Sequence, residues 1–174
     1  MKAPVIWLTG IPGSGKTTLA LELVRYYQQR DLPVEILDGD EIRKTLSKDL
    51  GMSPEDRKEH NRRVIFVAQI LAKNGVTTIV PLISPYRETR EFARKEIPNF
   101  FEVWVKASLD ECIKRDPKGL YKKALAGEIK NLTGLQSPYE EPQKAELVLD
   151  TEKHNVKESL ELIILTLKKL DYLN

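Results

Sequence analysis

The 174 residues accommodate one domain comfortably and two only in cramped form. A 41% hydrophobic and 31% charged composition can build a sizeable core, and a net charge of +2 is too balanced for a general nucleic-acid binder. No apolar run approaches the roughly 20 residues of a membrane span, no secretory leader is read in residues 1–7, and the single cysteine excludes an internal disulfide and fits a reducing cytoplasm.

Residues 5–9 are a short apolar run ended by Gly10, which reads as a buried strand. From 15 to 30, Leu19, Ala20, Leu23, Val24 and Tyr27 recur at helical spacing. Residues 33–38 read as a second strand and 41–50 as a short helix stopped by Gly51. Ser53-Pro54-Glu55-Asp56 is a helix start: a serine cap, a proline in the first turn, then acids near the positive end of the dipole. That helix carries Val64, Phe66, Val67, Ile70 and Leu71 before Gly75 closes it. A third strand at 76–83, a helix at 87–97, a fourth strand at 101–106 and a short helix at 109–115 follow. A fifth strand at 146–150 precedes an amphipathic helix at 156–170, with Leu160, Ile163, Ile164, Leu167 and Leu170 on one side. Strands alternating with helices predict a parallel sheet covered on both faces. Residues 116–143 break the rhythm: they are lysine-rich, carry Pro117, Gly119, Gly127, Gly134, Pro138 and Pro142, and read as a lid or binding loop.

After the first strand comes Gly10-Ile11-Pro12-Gly13-Ser14-Gly15-Lys16-Thr17-Thr18, which matches G-x-x-x-x-G-K-[ST] between a strand and a helix. Glycines let the backbone wrap so that its N–H groups point at phosphate oxygens. The following helix adds the positive end of its dipole. Lys16 is placed to reach the β- and γ-phosphates of ATP, and Thr17 to ligate Mg²⁺. The fold expected is therefore the P-loop nucleoside triphosphate hydrolase fold: α/β, a parallel five-stranded sheet with helices on both faces, and a lid.

Two functional classes share that loop. A partner-binding switch needs D-x-x-G near the third strand and an N-K-x-D motif. Asp116-Pro117-Lys118-Gly119 fits the first but lies after the fourth strand, and the second does not occur. A small-molecule kinase explains more. The second strand ends in Asp38-Gly39-Asp40, which a parallel sheet places beside the phosphate loop. A carboxylate there can orient an acceptor hydroxyl and take its proton. Arg43, one turn beyond Asp40, could face an anionic acceptor. Arg57, Arg62 and Arg63 share one helix and could converge on one ligand, or else form a solvated face with helical ion pairs.

With these motifs stand Leu50-Gly51-Met52-Ser53 before Asp56-Arg57, then Arg62-Arg63 and Ile83-Ser84-Pro85-Tyr86-Arg87. Arg115-Asp116-Pro117-Lys118-Gly119-Leu120-Tyr121-Lys122-Lys123-Ala124, Gly127 to Lys130 and Ser137 to Glu140 complete the series. In this order the set resembles the adenylylsulfate kinase family over nearly the whole chain. The resemblance implies transfer of the ATP γ-phosphate to the 3′-hydroxyl of adenosine 5′-phosphosulfate, in sulfate assimilation or activation. It implies Lys16, Asp38 and Ser84 as catalytic candidates, Asp38 activating the hydroxyl. The serine matching Ser84 has been described in the family as a phosphoenzyme. Direct in-line transfer requires no covalent stop, so Ser84 is expected to act as a substrate-loop residue. ATP is assigned to the phosphate loop and Arg115. The phosphosulfate nucleotide is assigned to Asp38, Asp40, Arg43, Arg57, Ile83 and Ser84, with Lys118 and Leu120 in the lid.

Three changes depart from the family. Met52 and Leu132 stand where aromatic rings sandwich the acceptor's adenine, and His60-Asn61 stands where the family reads Asn-Ile. All three sit where base identity would be read, so a related kinase acting on a cytidine diphosphoramidate is the alternative acceptor class. A homodimer is expected, with no nucleic-acid or membrane partner; the Val64 to Leu71 face is either core or a subunit contact. Cys112 reads as a buried small hydrophobe, Trp7 and Trp104 as strand core, and His60 and His154 as unrelated to any zinc site.

Overall fold

The computed structural model describes residues 3–173. The strands are β1 (Val5–Thr9), β2 (Val34–Ile36), β3 (Thr77–Pro81), β4 (Phe100–Lys106) and β5 (Leu147–Asp150). The helices are α1 (Lys16–Gln28), α2 (Gly39–Lys44), α3 (Pro54–Lys73), α4 (Arg87–Glu96), α5 (Leu109–Arg115), α6 (Leu120–Leu125) and α7 (Val156–Lys169). The strands form one sheet in the order β2-β3-β1-β4-β5, and every pair is parallel. β1 is apolar at every position but Thr9 and buried at all five, which suits a central strand; Val5 pairs with Thr78 on one side and Phe100 on the other.

Alternation of side chains divides the core in two. Ile6, Leu8, Val103, Val105 and Leu149 face α1 and α7, meeting Leu19, Leu23, Ile163 and Leu167. Val5, Trp7, Val80 and Leu82 face α3 and α4, meeting Val64, Ile65, Ala68 and Ala93. Each fully buried valine, leucine or isoleucine among them contributes about 1.5–3 kcal/mol. A third, smaller cluster of Cys112, Tyr121, Ala124 and Leu132 lies under the lid and includes Ile11 of the phosphate loop at its margin.

Several expectations need correction. The helix expected at 41–50 is α2, which starts earlier because Asp38 caps it and stops at Lys44; Ser47, Leu46 and Asp49 then bond to His60 and Arg63 of α3. Trp104 is half-buried, with Lys106 over its ring, whereas Trp7 is fully buried as expected. The segment 116–143 contains α6, which the glycines and prolines around it had obscured. Phe66 and Ile70 of α3 are exposed, while Val64 on the same helix is core.

Candidate active site

The strands' C-terminal ends open into one cleft of about 1120 Å³, the place where parallel α/β sheets bind ligands. At its donor end the phosphate loop turns under two close contacts. A Cβ on Gly10 would stand 2.3 Å from the Val105 carbonyl oxygen, so the loop leaves β1 only through a glycine. Lys16 is buried and curls back, its ammonium donating to the carbonyls of Gly10 (2.7 Å) and Ile11 (2.8 Å). Burial drives its pKa from 10.5 down to about 7, and the neighbouring Lys118 charge acts in the same direction. Thr17 and Thr18 are exposed and line the cleft.

Distant segments brace this loop. The Tyr121 hydroxyl of α6 donates to the Pro12 carbonyl (2.8 Å). Thr151, just past β5, donates from its hydroxyl to the Ser14 carbonyl (3.0 Å). Arg115 donates to the Thr151 hydroxyl (2.9 Å) and carbonyl (3.1 Å), so it reaches the loop through Thr151 while also lining the cleft.

Asp38 stands in the cleft as the N-cap of α2. One carboxylate oxygen accepts from the backbone N–H of Asp40 (2.8 Å) and Glu41 (3.3 Å). Its other oxygen has no protein partner among the described residues, and the side chain lines the cleft. Asp40 pairs with Lys118 across the cleft mouth. Arg57 spans from α3 to the lid: it donates to the Met52 carbonyl (3.1 Å), the Thr133 hydroxyl (2.6 Å) and the Asn131 carbonyl (2.6 Å). Arg43 donates to the Gly51 carbonyl (3.0 Å); burial and the nearby Arg57 charge lower its pKa. Arg43 and Arg57 both line the cleft, and each lies close enough to feel the other's charge.

The three arginines do not converge: Arg57 lines the cleft, while Arg62 and Arg63 fit the other reading, a solvated face with helical ion pairs. Arg62 is exposed and Arg63 pairs with Asp49 and Glu59 away from the cleft, because positions 57, 62 and 63 lie on different sides of α3. The second cationic group comes instead from α2.

His60 is buried with Nδ1 on the Ser47 hydroxyl (3.0 Å), and its buried Nε2 has no partner among the described residues. Burial, then the Arg43 and Arg63 charges, push its pKa down to about 4, so it is neutral at ordinary pH. Asn61 is buried beside it and lines the cleft. Met52 is exposed, whereas Leu132 is packed in the cluster under the lid. Leu120, Ile83 and Ser84 also line the cleft. The Ser84 hydroxyl does not stand free: it accepts from Trp7 Nε1 (2.9 Å) and lies 3.2 Å from both the Thr9 hydroxyl and the Leu82 carbonyl.

The cleft thus brings together the phosphate loop, the Asp38 carboxylate, Arg43 and Arg57, and residues of the 116–143 segment. The family model for adenylylsulphate kinase matches residues 2–150. The chain belongs to the adenylylsulphate kinase family. A probable adenylyl-sulfate kinase of Pyrococcus abyssi is 53% identical over 173 residues, covering 99% of each chain. An adenylyl-sulfate kinase of Synechococcus is 47% identical, covering 97% of this chain and 96% of the relative. The structure of the Mycobacterium tuberculosis APS kinase CysC in complex with AMPPNP and APS superposes with a TM-score of 0.92 at 41% identity, covering 96% of this chain and 98% of that one.

Sequence reasoning missed part of this kinase's cleft. Thr151, His154, Asn155, Val156 and Ser159 line the donor end. The available signal was positional: any residue leaving the C-terminal end of β5 emerges beside the phosphate loop in a parallel sheet.

Proposed function

We propose that this chain transfers the γ-phosphate of ATP to the 3′-hydroxyl of adenosine 5′-phosphosulfate, giving ADP and the 3′-phosphorylated nucleotide. The observation that carries the reading is the single cleft joining the phosphate loop to Asp38, whose second carboxylate oxygen is unengaged. ATP places its phosphates on the backbone N–H groups of the loop and at the start of α1. Lys16 exchanges carbonyl partners for phosphate oxygens and stabilises charge on the transferring group. The α2 cap fixes Asp38 so that its open oxygen accepts the hydroxyl proton. Arg43 and Arg57 hold the phosphosulfate, with Asp40 and the Ile83–Ser84 backbone beside them. The lid excludes water that would compete as acceptor.

The Thr17 hydroxyl is exposed to the cleft, and no group of three or more metal-ligating side chains occurs among the described residues. That sparse donor set suits Mg²⁺, which keeps most of its water and binds mainly through substrate phosphates. Thr17 would hold the ion, which supplies charge neutralisation at the β- and γ-phosphates. For assembly, we place a homodimer contact on the outer face of α3, where Phe66 and Ile70 stand exposed one turn apart.

The aliphatic pair Met52 and Leu132 keeps a cytidine diphosphoramidate acceptor as the specific alternative. A coupled assay of ADP release tests both, with adenosine phosphosulfate, cytidine diphosphoramidate, simple sugars and nucleoside monophosphates run in parallel. Turnover with adenosine phosphosulfate is expected. Turnover with the diphosphoramidate and none with the phosphosulfate would reassign the acceptor, and ADP release from neither would end the kinase reading.

A further inference from the structure

Arg90 of α4 is 2% exposed, a rare setting for a guanidinium. Nε lies 2.9 Å from Oε1 of the buried Glu102 carboxylate on β4, an ion pair without hydrogen-bond geometry, while Glu102 Oε2 accepts from Arg94 Nη2 (3.0 Å). Nη1 donates to the Ser84 carbonyl, and Nη2 donates to the Glu140 carbonyl at the distal end of the lid. The guanidinium carbon also lies 5.6 Å from the centre of the Tyr139 ring. One side chain therefore joins a central strand, the turn after β3 and the far root of the lid.

The turn it holds is strained. Ser84 has φ +40°, a conformation that a residue with a Cβ keeps only where its surroundings impose it. Those surroundings are visible. The Thr9 hydroxyl donates to the Ile83 carbonyl (2.7 Å) and lies 2.9 Å from the Tyr139 hydroxyl. Trp7 Nε1 donates to Ser84 Oγ (2.9 Å), and the Glu140 N–H donates to the Pro85 carbonyl (2.8 Å). β1 fixes the turn from below; Arg90 fixes it from behind and welds it to Glu140.

We propose that Arg90 is a positioning residue for the acceptor: it sets the Ile83–Ser84 backbone at the angle from which that backbone meets the acceptor nucleotide. The proposal rests on the functional reading above, in which this backbone faces the acceptor and not ATP. Charge compensation of Glu102 alone would need only a cation, and Arg94 already supplies one (3.0 Å). The two carbonyls on separate segments need the planar fork that arginine has and lysine lacks.

The test uses the full chain and steady-state kinetics with ATP and adenosine phosphosulfate varied separately, each variant assayed below its melting temperature. Arg90→Lys keeps the charge and loses the fork. Its kcat/KM for the acceptor is expected to fall about tenfold or more, with KM for ATP within about twofold of wild type. Glu102→Gln, which weakens the ion pair and leaves both carbonyl contacts, is expected to lower the melting temperature and leave the acceptor kinetics unchanged. If Arg90→Lys does not fold, the double variant Arg90→Met with Glu102→Gln removes both buried charges together, and the same loss for the acceptor is expected. A wild-type acceptor KM and kcat in a folded Arg90 variant, or equal losses for both substrates, overturns the proposal alone. A wild-type chain with no turnover on adenosine phosphosulfate overturns the functional reading and this proposal with it.

Discussion

The carboxylate of Asp38 is shared between a helix and a cleft: one oxygen caps α2, while the side chain lines the cleft in which we propose that the acceptor binds. That division makes Asp38→Asn an informative variant. Asparagine caps a helix as well as aspartate does, so stability is expected to change by less than about 0.5 kcal/mol. The proton acceptor is lost, and kcat is expected to fall by about two to four orders of magnitude with little change in KM. A folded variant with wild-type kcat would move the catalytic role elsewhere. Asp38, Lys16 and Thr17 were legible in the sequence because a loop motif and a strand end fix their places within a few residues. Tyr121 and Thr151 were not, since their bonds to Pro12 and Ser14 span 109 and 137 residues and leave no local pattern. Arg90 was unread for the same reason: its partners Glu102, Ser84 and Glu140 meet only in the folded chain.

Among the elements, strands were read well and the lid badly. β1 and β3 announce themselves by apolar, β-branched runs that only a doubly covered parallel strand tolerates. The cap of α3 was read from Ser53 and Pro54 and is present, the Ser53 hydroxyl accepting from the Asp56 N–H (3.1 Å). α6 was missed because Pro117, Gly119 and Gly127 suggested an unbroken loop, although Asp116 accepts from the Tyr121 and Lys122 N–H groups to start it. The distal lid is tied to the body through Tyr139 and Glu140, so 116–143 is not one uniform flap. α3 carries its own prediction. Phe66 and Ile70 are 62% and 45% exposed on one stripe, a costly display for a surface that always meets water. Light scattering on the wild-type chain is expected to give about twice its 19.9 kDa mass, and Phe66→Glu a single chain. A wild type of single-chain mass at micromolar concentration would remove the dimer.

Across the whole molecule, ligand binding, protonation and stability are linked through Lys16. In the free protein its pKa lies near 7, while an unfolded chain holds it at 10.5. Between those values the unfolded state binds more protons, so the free protein gains stability as pH rises through that window, and carries the cost of a buried charge below it. A bound triphosphate reverses the preference, since its negative oxygens favour the charged ammonium. Above pH 7 binding must therefore take up a proton, and apparent affinity falls by up to about tenfold per pH unit. At a nucleotide concentration of about 100 Kd, binding adds about 2.7 kcal/mol, or about 5–10 °C in melting temperature for a chain of this size. The shift produced by a fixed concentration of a non-hydrolysable ATP analogue is expected to be larger at pH 7.5 than at pH 8.5. Over the same interval the unliganded melting temperature should hold or rise. Titration calorimetry in buffers of different ionisation enthalpy should register proton uptake close to one per site at pH 8.5, and none in Lys16→Met. Equal thermal shifts at both pH values, with no proton uptake, would mean that the ammonium is already charged in the free loop and that the carbonyls of Gly10 and Ile11 outweigh its burial.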